Sequence, residues 1–208
     1  MLFRSLSKAM VKPTKLFWKG GKHVLRYLRG TSEYGLWYRH TDEVKLHGFT
    51  DADWAGSPSD RKSTSGGILS IRSTIVSWYN REQISLALSS VEAEYMAASL
   101  AACEAIWMRK ILFGLFGSHL DPTVIHCDNQ SCIKLSINPV FHDRSKHIDI
   151  RYHHIRDCVQ QKIVLLQYIP TEDQVADILT KAFTRRKFEY HRDKIGVKDN
   201  PFLVEREC

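Results

Sequence analysis

Long apolar runs are missing from this sequence. No stretch approaches the ~20 residues that a membrane-spanning helix needs, and Met1-Leu2-Phe3-Arg4 does not lead into the apolar core of a signal peptide. Cysteine is sparse: Cys103, Cys127, Cys132, Cys158 and Cys208 are odd in number and form no tight framework. That excludes a disulfide-stapled scaffold and favours a reducing, intracellular compartment. Internal repeats and low-complexity tracts are absent, which excludes solenoids and compositionally disordered chains. Acid is nearly absent from residues 1–40, where Glu33 stands alone against nine Lys/Arg.

What is present is an ordinary globular composition with an uneven charge. The chain has 208 residues, is 43% hydrophobic and carries a formal net charge of +7, enough for one domain with appendages. Residues 41–180 hold thirteen bases and seventeen acids, and residues 181–208 hold eight bases and five acids. An acidic centre between basic flanks suits a metal-using site whose anionic substrate is held by the flanks. A globular protein with solvated basic ends has the same distribution.

Phe17, Gly21, Val24, Leu25 and Leu28 fall at helical spacing, among Lys15, Lys19, Lys22, Arg26 and Arg29. Pro13 stands near the start of this basic helix and Gly30 at its end. Strands are expected at Leu46–Asp51, Ile68–Ile71 and Thr74–Trp78, the last two joined by a turn at Arg72-Ser73. A long helix should run from Ser89 or Ser90 to about Phe113 and stop at Gly114. Thr123–Cys127 is a fourth strand, Gln130–Ile137 a short helix, and Ile148 to about Gln161 another. Val164–Ile169 is a fifth strand, and Glu172–Phe183 reads as helix. Three strands in a row, then alternating helix and strand, predict an α/β fold with a mixed sheet.

Five acids stand at unusual places. Asp51 and Asp53 close the first strand, although acids are poor strand formers, and residues i and i+2 share a face. Glu94 lies on the small-residue side of the long helix with Ala98, Ala101 and Ala105, where an unpaired carboxylate is expensive. Glu92 lies about 200° around the axis and is expected to be a solvated or helix-dipole acid. Asp128 follows an apolar strand at the end where open α/β sheets place ligands; alternatively it caps the helix beginning near Gln130. Asp177 opens the last helix, and Lys181 at i+4 also offers an ordinary surface salt bridge. Together Asp51, Glu94, Asp128 and Asp177 supply oxygen ligands suited to Mg²⁺ or Mn²⁺. Two such ions about 3.5–4 Å apart can serve phosphodiester hydrolysis.

The stretches GFTDADWAG, DRKSTSGG, ALSSVEAEYMAAS, HCDNQSCIKL, RSKHIDIRYHHIRD and DQVADILTKAF resemble the ribonuclease H region of copia-type LTR retrotransposon Pol polyproteins. The resemblance covers about Lys12 to Val197. WKGGKHVLRYLRGT resembles the segment that joins the reverse transcriptase to that region. The resemblance implies a ribonuclease H-like fold: five strands in a mixed sheet, helices on both faces, and the basic helix in front. By the same resemblance Asp51, Glu94, Asp128 and Asp177 are the catalytic, metal-holding acids, and Asp53 is in the motif without being the usual ligand. It implies two Mg²⁺ (or Mn²⁺) ions and cleavage of the RNA strand of an RNA–DNA hybrid. The polymerase part of the same polyprotein is an implied partner, and a cytoplasmic particle or the nucleus the implied location. Residues 1–40 then form the connecting basic segment, with Lys15, Lys19, Lys22, Arg26 and Arg29 as nucleic-acid contacts. Residues 41–183 form the ribonuclease H-like domain, and 184–208 a basic tail.

Departures from the family pattern are visible. Ile169-Pro170-Thr171-Glu172-Asp173 leaves no room for the loop histidine of many cellular ribonucleases H. Asn80-Arg81-Glu82-Gln83 stands where Lys-Lys is usual, and Arg72-Ser73 where a glycine turn is common. No Tyr-x-Asp-Asp pair of a polymerase occurs. Among rivals, Cys127, Cys132, His142 and His147 approach a zinc-finger spacing, but the central gap is short of about 12 residues. An integrase would want a glutamate where Ile163 stands. A remnant that folds and binds nucleic acid without turnover is the other reading; metal binding and hybrid cleavage separate the two.

Overall fold

The computed structural model describes residues 6, 10–38, 44–57, 60–72, 74–117, 119–138 and 150–200. They form two compact units, one from the two ends of the chain (1–38 and 182–208) and one from residues 39–181.

In the unit of chain ends, α1 (Lys15–Arg29) is the basic helix. Thr14 caps it by accepting the Phe17 N–H, Gly30 follows it, and none of its residues is buried. β1 (Tyr34–Leu36) pairs antiparallel with a strand at Val197–Asp199. The C-terminal residues read as a tail thus continue as a helix at Arg185–Lys194 and that strand. The Arg192 guanidinium lies 4.5 Å from the centre of the Tyr34 ring, and Phe183 stacks on His191 at 4.9 Å.

In the central unit, β2 (Leu46–Asp53), β3 (Thr64–Ile71) and β4 (Thr74–Glu82) form an antiparallel meander. All three outrun the expected strands, because the polar residues at their ends continue the pairing: Asp53 lies opposite Thr64, and Thr64 opposite Glu82. Arg72 takes a positive φ of 54° in the turn between β3 and β4, the conformation a glycine would otherwise supply. α2 (Ser90–Phe116) follows, then β5 (Thr123–Cys127), α3 (Gln130–Ile137), α4 (His154–Gln160), β6 (Val164–Tyr168) and the one-turn α5 (Asp177–Thr180). α6 (Arg185–Lys194) and β7 (Val197–Asp199) belong to the other unit.

The sheet order is β4-β3-β2-β5-β6, with β5 parallel to β2 and β6 parallel to β5. This mixed sheet, three antiparallel strands extended by two parallel ones, is the ribonuclease H-like arrangement. Because side chains alternate across a strand, its two faces differ. Leu46, Leu69, Ile125 and Val164 share a core with Ala98, Ala101, Ala105 and Met108 of α2 and with Ile155 of α4. Each fully buried Leu, Ile or Val side chain here stabilises the fold by about 1.5–3 kcal/mol. On the other face α5 lies close: a Cβ at Gly66 would sit 2.7 Å from Thr180 Cγ2 and 3.2 Å from Leu179 Cβ. Gly66 therefore admits the turn that carries Asp177.

Three expected helix bounds change. α2 passes through Gly114, at which a Cβ would meet nothing within 4 Å, and stops at Gly117, whose φ of 64° ends the helix. The helix expected over Glu172–Phe183 is broken into a 3₁₀ turn, Thr171–Asp173, and α5. Gln174 between them is extended, and its buried amide donates to the Thr50 carbonyl at 2.9 Å. The helix expected from Ile148 begins as a 3₁₀ turn at Ile150, and residues 148–149 lie outside the described residues.

Candidate metal centre

Asp51 lies in the central strand β2 opposite Gly66 of β3, fully buried. Asp128 follows the last residue of β5. The Asn129 side chain, not Asp128, caps α3 by accepting the Cys132 N–H at 3.0 Å, so the Asp128 carboxylate is free for another role. One Asp128 oxygen accepts the Thr171 hydroxyl at 2.8 Å. Asp177 is the first residue of α5 and is 1% exposed.

One ligand atom from each of Asp51, Asp128 and Asp177 lies within 4.8 Å of the others, and the same holds for Glu94, Cys127 and Asp128. Asp128 is common to both groups. The structure thus brings Asp51, Glu94, Asp128 and Asp177 together from β2, α2, the end of β5 and α5. Asp53 joins neither group; its carboxylate lies over the turn at Gly56, where an added Cβ would come within 1.9 Å of it. The Asp53 pKa is raised by burial and by Asp51. Lys15, Lys19, Lys22, Arg26 and Arg29 are exposed on α1, in the other unit.

Burial dominates the electrostatics. Glu94 Oε1 accepts the Ala52 N–H at 3.2 Å, while desolvation, then Cys127, Asp51 and Asp128, push its pKa up to about 10. Asp177 is raised to about 6 by burial and by Asp51, against the pull of Lys181. The Lys181 ammonium contacts Asp51 Oδ1 at 3.1 Å and Asp177 Oδ1 at 2.8 Å. Burial disfavours its charge, but the two carboxylates outweigh burial and hold its pKa above the ordinary lysine value. Glu94 Oε2 and Asp177 Oδ2 are buried without a hydrogen-bond partner. Buried carboxylate oxygens left this way are costly, and each belongs to a residue of one of the two acid groups, where a cation could satisfy it. The donor set therefore fits a hard divalent ion.

Two expectations about these side chains change. Glu92 is not a solvated acid: it is 5% exposed, and its Oε2 accepts the Leu88 N–H at 2.8 Å while Ser89 caps the Glu92 N–H. It is a buried helix-start acid, and Ser89, not Ser90, is the cap. Asp177–Lys181 is no surface pair, because Asp51 shares the lysine. Sequence reasoning also passed over Thr171, Thr180 and the Ala52 N–H. Thr180 and Lys181 stand in the DQVADILTKAF stretch, but only the i, i+4 spacing to Asp177 was legible there. Cys127 and Cys132 are buried side by side in the core, and His142 and His147 lie outside the described residues. His153 meets the Tyr95 hydroxyl at 3.0 Å, a packing role.

A five-stranded mixed sheet in the order β4-β3-β2-β5-β6, with helices against it, is a ribonuclease H-like fold, and the grouped acids lie against its central strands. The chain is 40% identical over 195 residues to the retrovirus-related Pol polyprotein from transposon TNT 1-94 of Nicotiana tabacum, 94% of this chain and 14% of that protein. It is 41% identical over 194 residues to the Pol polyprotein from transposon RE2 of Arabidopsis thaliana, 92% of this chain and 13% of that protein. The chain is thus homologous, over most of its length, to a segment of copia-type retrovirus-related Pol polyproteins, and it spans about a seventh of the length of these relatives. No family model matches. Among solved structures, the N-terminal RNase H domain of a Mycobacterium tuberculosis protein gives a TM-score of 0.45 at 12% identity, covering 73% of this chain and 98% of that one. LC11-RNase H1 isolated from compost gives 0.48 at 14%, covering 66% and 94%.

Proposed function

We propose that this chain is the ribonuclease H part of a copia-type Pol polyprotein, a metal-dependent endonuclease that cleaves the RNA strand of RNA–DNA hybrids. The observation that carries this reading is the pair of buried, unpartnered carboxylate oxygens, Glu94 Oε2 and Asp177 Oδ2, within the grouped acids Asp51, Glu94, Asp128 and Asp177. Two Mg²⁺ or Mn²⁺ ions would be held by these four residues. Bound there, such ions supply the Lewis acidity that activates a water and stabilises the leaving oxygen of a phosphodiester.

The protein's own groups prepare the site. The Ala52 N–H fixes the Glu94 carboxylate, and the Thr171 hydroxyl fixes that of Asp128. The Thr180 hydroxyl donates to Asp51 Oδ2. Burial of Asp51 and Asp177 to 1% exposure or less keeps bulk water from competing for their oxygens. In this reading Lys15, Lys19, Lys22, Arg26 and Arg29 offer a positive face to the hybrid backbone. The exposed apolar residues of α1, Leu16, Trp18, Leu25 and Leu28, await the polymerase part of the polyprotein. The location follows the polyprotein, a cytoplasmic particle or the nucleus.

The test is a Mn²⁺ titration of the purified chain, followed by incubation with an RNA–DNA hybrid. Saturable binding and metal-dependent cleavage of the RNA strand are expected. A folded chain that retains hybrid yet neither binds Mn²⁺ nor cleaves would be a non-catalytic remnant.

A further inference from the structure

We propose that Lys181 is a resident counter-ion of this acidic site, and that, given the reading of the site as a metal centre, a divalent cation enters by displacing its ammonium group from Asp51 and Asp177. Both oxygens of Asp51 are engaged: Oδ1 by the Lys181 ammonium at 3.1 Å and Oδ2 by the Thr180 hydroxyl. Asp177 gives Oδ1 to the same ammonium at 2.8 Å and keeps only Oδ2 unpartnered. One oxygen of each of these two grouped carboxylates is thus already held by a positive charge.

The lysine is built to leave. Its backbone N–H donates to the Asp177 carbonyl at 2.9 Å, which anchors the main chain. Its side chain is 35% exposed, whereas those of Asp51 and Asp177 are each 1% exposed. The long flexible arm therefore has a path to solvent that the carboxylates lack. Without a cation, two buried carboxylates in one site repel each other, and the ammonium relieves that repulsion. With a divalent ion among the same oxygens, ammonium and metal repel in turn. Lys181 then sets the metal concentration at which the site fills and keeps the empty site folded below it.

The two consequences have opposite signs, which separates this role from others. A merely structural lysine would lower both stability and metal affinity when removed. One that serves only to bind substrate phosphate would leave metal affinity unchanged. The experiment is a calorimetric Mn²⁺ titration of the full chain, with thermal melts in EDTA, on wild type, Lys181→Met, Lys181→Gln and Lys181→Arg. Both neutral variants should bind Mn²⁺ ~10-fold or more tightly than wild type yet melt at a lower temperature without metal; Lys181→Arg should resemble wild type in both. Lys181→Gln keeps a neutral polar end and serves if Lys181→Met does not fold. A folded neutral variant that binds Mn²⁺ no more tightly than a binding-competent wild type overturns the Lys181 role alone. A wild type that binds no Mn²⁺ removes the metal centre itself, and the Lys181 role with it.

Discussion

Glu94 on α2 accepts the backbone N–H of Ala52 on β2, 42 residues earlier in the chain, at 3.2 Å. The bond joins the small-residue side of the helix to the strand position beside Asp51, and it leaves Glu94 Oε2 unpartnered. Glu92, two residues away, turns instead to the Leu88 N–H.

These two glutamates should therefore respond differently. Glu94→Gln keeps the shape but loses the charge and should lose Mn²⁺ affinity and cleavage. Glu92→Gln should cleave normally and lose only the helix-dipole contribution, about 0.3–1 kcal/mol. Chemical denaturation together with the cleavage rate distinguishes the two; an inactive, well-folded Glu92→Gln would place the wrong glutamate in the site.

Gly66→Ala tests how Asp177 is seated. The added methyl would meet Thr180 Cγ2 at 2.7 Å and the Ala176 carbonyl oxygen at 3.3 Å. Overpacking of this kind costs about 1–3 kcal/mol, and it should move α5 away from β3. Lower thermal stability with weaker Mn²⁺ binding is expected. Unchanged metal affinity would mean that α5 yields without moving Asp177.

Much of this site was legible because its signals are local. Asp51 ends an aromatic and β-branched run, and Glu94 shares a helical phase with Ala98 and Ala101, so strand and helix periodicity place both. Asp128 was legible only as one of two alternatives, because cap and ligand readings favour the same residue type; Asn129 takes the cap. What sequence could not show depends on contacts across the chain. The Gln174–Thr50 bond, 124 residues apart, breaks a helix that periodicity would continue. Lys181 looks like a surface partner of Asp177 until Asp51 arrives, 130 residues away in sequence. Residues 185–199 carry few apolar residues, and the helix with its buried His191 and the pairing of β7 with β1 show that they fold.

The metal-free protein should lose stability as pH rises. Folded-state pKa values of about 10 for Glu94 and about 6 for Asp177 lie above the ordinary 4.5 and 3.8. Between the ordinary and raised values the folded state binds more protons than the unfolded, so their stabilising contribution is full below the ordinary values and falls with rising pH. For Asp177 the loss is complete above about pH 6; for Glu94 it continues towards pH 10. Melting in EDTA across that range should show the decline, and Glu94→Gln should flatten it. A melting temperature in EDTA that falls as steeply with pH in Glu94→Gln as in wild type would count against the raised Glu94 value.

The basic helix should govern hybrid affinity without touching the metal site. Replacing Lys15, Lys19, Lys22, Arg26 and Arg29 by Gln should weaken hybrid binding. It should also reduce the slope of log K against log salt by up to ~4, about 0.9 for each phosphate no longer neutralised. Mn²⁺ affinity should not change. An unaltered salt slope would leave α1 as a connecting segment only.

Cleavage of a hybrid labelled on its RNA strand, by the purified chain and by Asp51→Asn side by side, is the most direct measurement. Wild type should cut the RNA strand in Mg²⁺ or Mn²⁺, stop in EDTA and spare the DNA strand. Asp51→Asn should fold like wild type and cut nothing. Cleavage by Asp51→Asn at the wild-type rate, or a folded wild type with no metal-dependent cleavage, would contradict a catalytic metal centre built on Asp51.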